Sequence, residues 1–301
     1  MIKSITVTNF LGQSKKFELG RPEKSGMAVT NIEGLGPSKS NILTTEVATN
    51  DGAIFNSARS QARNIVVHFD FRFALDIEAT RHETYKYFPN KKRLKLLIET
   101  DKRECEAYGY VENNDPDIFS PTETTQISII CPDPYLYSAR KTITVFSGVE
   151  DIFEFPFSNE SLSENLLEIS ALRTTTTQTV YYDGDAEVGM LITIHAIGEA
   201  KNIAIYNTGT REVMRIDTNK LEALTGEGLH LGDTITINTV KGNKYIKLLR
   251  DGEEYNILNC LDKHADWFQL SKGDNIFAYT AEDGATSLQF RIENQVLYEG
   301  V

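Results

Sequence analysis

Five histidines, three cysteines and scattered carboxylates are the side chains of this chain that could do acid–base, nucleophilic or metal chemistry. Their spacing builds none of the usual sites. His68, His82, His195, His230 and His264 are dispersed, and His82-Glu83 lacks the second histidine three residues on that a zinc-protease helix needs to set two imidazoles on one face. No Gly-x-Ser-x-Gly elbow presents a serine nucleophile. Cys105, Cys131 and Cys260 never form a close pair, so they read as small core residues, not as a disulfide framework or a zinc site. Asp183, Asp185 and Glu187 alternate and offer oxygens to a hard cation, but they fall short of an EF-hand pattern and read as a hairpin turn. Gly34-Leu35-Gly36-Pro37 has the glycines of a phosphate loop without its Gly-Lys-Ser/Thr, and Pro37 stops a helix from opening directly after Gly36. The expectation is a protein with no catalytic residue, no cofactor and no metal.

The elements that hold these residues are mainly strands. From Asn64 to Phe73 the apolar Ile65, Val67, Phe69, Phe71 and Phe73 alternate with Val66, His68, Asp70 and Arg72, which predicts a long central strand with one buried face. Its other face carries a polar row that meets water or another protein. Before it, Ile2–Phe10 and Lys16–Leu19 read as a hairpin about Gly12, Met27–Ile32 as a short strand, and Asn41–Thr49 as a strand leading to the turn signal Asn50-Asp51-Gly52. Asp76 is placed to cap a helix through about Phe88, with Ile77, Tyr85 and Phe88 turned to the core. Strands follow at Leu94–Ile98, Glu104–Val111 and Gln126–Cys131, and the prolines at 132 and 134 end the sheet, which sets a domain junction near 135–150. The second half reads as short strands between turns, among them Ile152–Phe157, Thr177–Tyr182, Val188–Ile197, Trp267–Leu270, Ser287–Ile292 and Val296–Tyr298, the pattern of a sandwich or jelly roll.

Charge divides the chain the same way. Residues 1–140 hold 18 Lys+Arg and 18 Asp+Glu, whereas residues 141–301 hold 13 against 25, which accounts for the whole net charge of −12. A neutral half suits stacking against copies of itself, and an acidic half suits a solvated periphery. Neither half has the net basic character that favours phosphate binding, so a sequence-reading nucleic-acid binder is not indicated. No apolar run reaches the roughly 20 residues that span a bilayer, and the alternating start is not a signal peptide, so membrane insertion is not expected.

Three stretches carry a family resemblance. Gly26 to Ser40, then Asn50 to Arg63 leading into the central strand, then Cys131-Pro-Asp-Pro-Tyr135 resemble the amino-terminal domain of siphophage distal tail proteins. Gly232-Asp-Thr-Ile-Thr-Ile-Asn238, Asp251-Gly252, Asp266-Trp-Phe-Gln-Leu270, Gly273-Asp-Asn275 and Leu297-Tyr-Glu-Gly-Val301 look like the carboxy-terminal domain of phage tail proteins with a galectin-like sandwich. The resemblance implies a β-sandwich-like, ring-forming domain with one helix and a hairpin over 1–140 and a galectin-like β-sandwich over 141–301. It also implies a homo-hexameric ring at the virion tail tip, assembled in the host cytoplasm. The ring would lie between the tail-tube protein and the tail-associated hub protein, offer a platform to receptor-binding proteins, and let DNA pass through its bore.

Within that frame Arg59, Arg63, His68 and Arg72 are expected at subunit contacts. Arg72 and His68 fall in one patch and the Gly34–Ser40 loop, with Gly34 and Gly36, in the other. The alternative is a carbohydrate-binding adhesion module acting through the second domain, for which Trp267, the only tryptophan, is the available sugar platform.

Overall fold

Period-two alternation is realised through most of the chain. The computed structural model describes residues 1–46, 48, 51–119, 123–151, 170–174 and 176–301, so the strand expected at 152–157 and the Asn50 of the turn signal lie outside the described residues. The chain divides into two compact units, Met1–Arg140 with Leu297–Val301, and Lys141–Val296. The last five residues thus pack with the first unit.

The first unit contains β1 (Ile2–Thr8), β2 (Ser14–Glu18), β3 (Ala28–Glu33), β4 (Ser40–Glu46), β5 (Ala53–Ser60), β6 (Arg63–Asp70), α1 (Ile77–Tyr87), β7 (Arg93–Thr100), β8 (Glu104–Asp117), β9 (Thr124–Cys131) and the start of β10 (Leu136–Val145). All pairs are antiparallel, in the order β2-β1-β7-β8-β9-β6-β3. The 14-residue β8 pairs with β7 through Tyr110 and with β9 from Tyr110 onward, with a register irregularity between Val111 and Asn113. A strand that bends at such a point passes from one layer to the next, so β8 closes the sandwich.

Between the layers Phe17, Phe69 and Phe88 meet at centroid distances of 4.8, 5.7 and 6.3 Å. Ile5, Val7, Ile65, Val67, Leu94, Leu96, Ile127 and Ile129 fill the same core. The three thiols are buried and unpaired, and burial pushes the Cys131 thiol up to about 11, so they are inert core residues.

α1 begins where expected, with the Asp76 carboxylate accepting from Ala79 N at 3.0 Å. Tyr85, expected in the core, is exposed, and Tyr87 packs against the core instead, along with Ile77 and Phe88. The central strand is shorter than its alternation. β6 stops at Asp70, Phe71 N donates to Glu123 O, and a turn closed by Ala74 N to Phe71 O leaves Phe73 exposed while Phe71 stays buried.

The second unit holds the end of β10, then β11 (Ser147–Asp151), β12 (Ser170–Thr174), β13 (Thr177–Tyr182), β14 (Leu191–Ala196), β15 (Lys201–Asn207), β16 (Glu212–Ile216), α2 (Thr218–Thr225), β17 (Thr234–Asn238), β18 (Tyr245–Arg250), β19 (Glu253–Asn256), β20 (Gly273–Asp283) and β21 (Leu288–Tyr298), which ends in the first unit. Two sheets, β13-β20-β15-β16 and β19-β18-β17-β14-β21, face each other. Tyr279 of β20 stacks on Phe290 of β21 at 3.8 Å, and Phe146 lies 6.0 Å from Phe290, so aromatic rings join the layers. Elsewhere in this unit the buried Asp233 carboxylate accepts from Arg250 Nε at 2.9 Å, Arg250 Nη2 at 2.5 Å and His230 N at 3.0 Å.

Three expectations for this unit change. Trp267–Leu270 is irregular chain with a single bridge, Val188 to Leu270, because Gln269 turns its amide onto the carbonyls of Thr239 and Phe268. The two strands expected at 287–298 are one, β21. The helix α2 went unpredicted, although Asp217 caps its start and Gly226, at φ +85°, ends it.

Phe69→Ala opens a cavity between Phe17 and Phe88. It should cost about 3–5 kcal/mol of stability, read from the urea midpoint followed by far-UV circular dichroism.

Candidate assembly interface

β4 and β5 form a two-stranded hairpin outside both layers of the first unit. Each strand sets two large apolar residues side by side, Ile42-Leu43 and Ile54-Phe55, yet every residue of β5 and all of β4 but Asn41 are exposed. Ile42, Leu43, Ile54 and Phe55 are each more than half exposed. The register pairs Ile42 with Ala58 and Thr44 with Phe55, Leu43 with Ser57 and Thr45 with Ile54, with an irregularity between Leu43 and Thr44. Ile42 and Phe55 therefore share one face, and Leu43 and Ile54 the other. A two-stranded hairpin alone is marginal in water, and this one is apolar on both faces. The arrangement fits a hairpin enclosed between surfaces, not one laid upon a single surface. Arg59, opposite Asn41, is exposed on the same face as Leu43 and makes no ion pair among the described residues.

Arg63, expected as a surface contact, is instead 2% exposed. Its Nε donates to Pro134 O at 2.8 Å, Nη1 to Gly34 O and Gly36 O at 2.6 Å each, and Nη2 to Glu299 O at 2.7 Å. Burial lowers its pKa from the ordinary arginine value, an effect opposed by neighbouring groups that include Asp133 and Glu299, and a guanidinium stays charged. Its donors are used inside the chain and are not available to a neighbouring subunit. Gly34 and Gly36 supply two of those carbonyls, so their loop is held by the fold. Gly34, at φ +80°, sits where a Cβ would fall 1.9 Å from Asn64 O, so no other residue fits.

His68 and Arg72 lie on the polar side of β6 and just beyond it, each beside an acidic residue of the same chain. His68 Nε2 is 3.3 Å from Glu33 Oε1. Arg72 donates from Nε to Asp70 Oδ2 at 2.9 Å and from its backbone N to Oδ1 at 2.8 Å, and its Nη2 also contacts Oδ2. Arg72 remains largely exposed, so it is anchored at one edge and open at the other.

Trp267 is half-buried, and Lys244 Nζ stands 5.1 Å from its ring centroid. Asp183 and Asp185 lie 3.9 and 3.8 Å from Lys272 Nζ. Among the described residues no group of His, Cys, Asp or Glu is gathered to hold a metal, and no helix is long and apolar enough to cross a membrane. The sequence signal that marks the hairpin is an adjacent pair of large apolar residues on each side of Asp51-Gly52, Ile42-Leu43 and Ile54-Phe55, which differs from the one-faced alternation of a core strand.

Comparison with known proteins adds a family and a fold. Residues 183–293 match the family described as siphovirus-type tail component, C-terminal domain. No curated protein matches by sequence. The structure of the SPP1 Dit (gp 19.1) protein, described as a paradigm of the hub adsorption apparatus in Gram-positive infecting phages, aligns with TM-score 0.66 and 12% identity over 97% of this chain and 98% of that one. A chain of the phage P2 baseplate in its activated, calcium-bound conformation aligns with TM-score 0.50 and 11% identity over 98% of both chains. At these identities the shared property is the fold, mainly β in both units.

Two outcomes follow for the residues placed here. Arg63→Met leaves four carbonyls without a donor and should lower stability by about 3–5 kcal/mol, with Arg63→Lys recovering only part because an ammonium lacks the planar fork; urea denaturation measures both. Asp70 is held below the usual 3.8, first by the Arg72 side-chain hydrogen bonds, against an opposing desolvation. A depressed carboxyl stabilises the fold above its unfolded-state pKa and loses that contribution as pH falls through the folded value. Wild-type thermal stability should therefore drop more steeply below about pH 4 than that of Asp70→Asn, in melts taken from pH 5 to pH 2.

Proposed function

From residues 183–293 that belong to the siphovirus-type tail component family, in a chain with the distal tail fold, we propose a structural subunit of the phage tail-tip baseplate that self-assembles into a six-membered ring through its first unit. The observation that carries this reading is the β4–β5 hairpin, apolar on both faces and covered on neither by the described residues of its own chain. A hairpin extended from one copy and enclosed by the next makes a head-to-tail contact, and such contacts close into a ring when the rotation allows. Arg59 on the hairpin, with His68 and Arg72 on the sheet, would add polar contacts at its rim.

The charge distribution supports the same arrangement. A balanced first half brings copies together without mutual repulsion, and a ring without a basic lining lets DNA pass without holding it. The acidic second half suits an outward position, where it would meet receptor-binding proteins. The tail-tube protein and the tail-associated hub protein would meet the two flat sides of the ring. No step of this function is chemical, in keeping with the scattered histidines and buried thiols.

Light scattering tests the assembly. The protein should have a solution mass of about six times 33.8 kDa, or a multiple of that. Ile42→Asp with Phe55→Asp places charge on one hairpin face and should reduce the mass to that of a monomer with an unchanged far-UV spectrum. A wild-type mass of one chain at every concentration, or an undiminished ring in the double variant, would overturn the reading.

A further inference from the structure

The β4–β5 hairpin leaves the first unit at one end of β6, and the opposite end of the same strand exposes apolar side chains of its own. The chain enters β6 at Arg63 directly from β5, and Gln61 N donates to Lys39 O at 2.8 Å to close the base of the hairpin. β6 has eight residues, so Asp70 lies about 23 Å away at its other end. Beyond Asp70 come Phe73 and Leu75. The register Asp70–Thr124–Asp117 sets the end of β8, followed by Ile118 and Phe119, two strands to the side, about 10 Å away. All four side chains are exposed, and Leu75 and Phe119 keep more than nine-tenths of their accessible surface.

The backbone that presents Phe73 and Leu75 is anchored. Phe71 is buried and its N donates to Glu123 O at 3.1 Å, Ala74 N donates to Phe71 O at 2.8 Å, and Asp76 is fixed as the cap of α1. The Glu123 carboxylate in turn accepts from Arg81 Nη1 of α1 at 2.7 Å. A surface shaped before its partner arrives costs less ordering on docking.

Charge at the two places is complementary. Arg72, next to Phe73, is paired with Asp70 on one side and largely exposed on the other. Asp117 is turned onto Phe119 N at 3.2 Å. At the far end of the hairpin Glu46 and Asp51 are exposed and make no ion pair among the described residues. Apolar content matches as well: two pairs of large side chains, Phe73 with Leu75 and Ile118 with Phe119, stand opposite the two pairs of the hairpin, Ile42-Leu43 and Ile54-Phe55. A symmetric contact of hairpin on hairpin would leave Phe73, Leu75, Ile118 and Phe119 in water, whereas a donor and an acceptor at opposite ends of one strand are the two different patches of a head-to-tail contact.

We infer that the β4–β5 hairpin of one copy docks on the Phe73–Leu75 and Ile118–Phe119 surface of the next, with Arg72 meeting the carboxylates of the hairpin tip. The inference rests on the reading of the chain as a self-assembling ring and names the acceptor for its hairpin.

Light scattering on the full chain tests this. Leu75→Asp with Phe119→Asp puts two charges on the acceptor and should give the mass of one chain, as Ile42→Asp with Phe55→Asp does for the hairpin. An equimolar mixture of these two variants holds one intact hairpin and one intact acceptor on different chains. Above the concentration at which the wild type assembles, it should therefore form a dimer, twice 33.8 kDa, and nothing larger. Leu75→Ser with Phe119→Ser, which adds no charge, should raise the concentration of half-assembly about tenfold or more. All of these positions are exposed, so the far-UV spectra should match that of the wild type. An acceptor variant that keeps the wild-type mass, or a mixture that stays at one chain at every concentration, would overturn the inference. A ring that survives Ile42→Asp with Phe55→Asp removes the hairpin reading itself, whereas a ring lost in that variant and kept in the acceptor variant removes only the acceptor.

Discussion

The first unit depends on one buried cation. Arg63 collects carbonyls from three segments remote in sequence: Gly34 and Gly36 before the hairpin, Pro134 at the end of the sheet, and Glu299 near the carboxyl terminus. Carbonyl dipoles, not a carboxylate in direct contact, surround the guanidinium, so its burial is offset by charge-assisted hydrogen bonds. A lysine in the same place would offer three donors from a point, not a planar fork that spans three directions. Around this node the tail of the chain is fastened again. Val301 N donates to Leu35 O, Arg103 Nη1 donates to Gly300 O, and the Arg103 guanidinium lies 4.3 Å from the Tyr298 ring centroid. The chain leaves the first unit along β10 and returns along β21, and the return is held by arginines.

That node was the least legible part of the sequence. Period-two alternation identifies faces, and it identified β6, β7, β9 and the first part of β8 because one face of each is apolar through its middle. It carries no information about an arginine at the mouth of a strand. Charge alone makes Arg63 look like Arg59, since exposed arginines are the common case and buried ones require an acceptor set drawn from distant segments. Gly34 was visible as a turn glycine, whereas the reason for it, the close approach of Asn64 O, belongs to the tertiary fold. The helix α2 is a different kind of miss. Its Asp217 and Gly226 are ordinary start and stop signals, obscured by a run of only eight residues set among strands. The Trp267–Leu270 stretch alternated like a strand but has side-chain amide bonds where ladder bonds were expected, a competition that apolar periodicity does not register.

The hairpin shows why an accurate strand assignment can leave its purpose open. Ile42, Leu43, Ile54 and Phe55 obey the same rule as Ile65, Val67 and Phe69, and the rule is that apolar strand residues become buried. For β6 the covering surface is the chain's own core. For β4 and β5 it is not found among the described residues, so the same physical demand is directed outside the chain. Apolar residues on both faces make that demand two-sided, which a flat contact between two copies would meet only in part. Enclosure by a neighbouring copy, repeated around a ring, meets it for every subunit at once.

The two units therefore satisfy different constraints with the same sandwich architecture. In the first, the core is internally complete, the cation at its edge is engaged, and the β4–β5 hairpin exposes large apolar residues on both of its faces. In the second, Tyr279 and Phe290 join the sheets, and the Asp233–Arg250 pair satisfies its own charges. Surplus apolar area calls for a protein surface, because only a close-packed partner removes it from water.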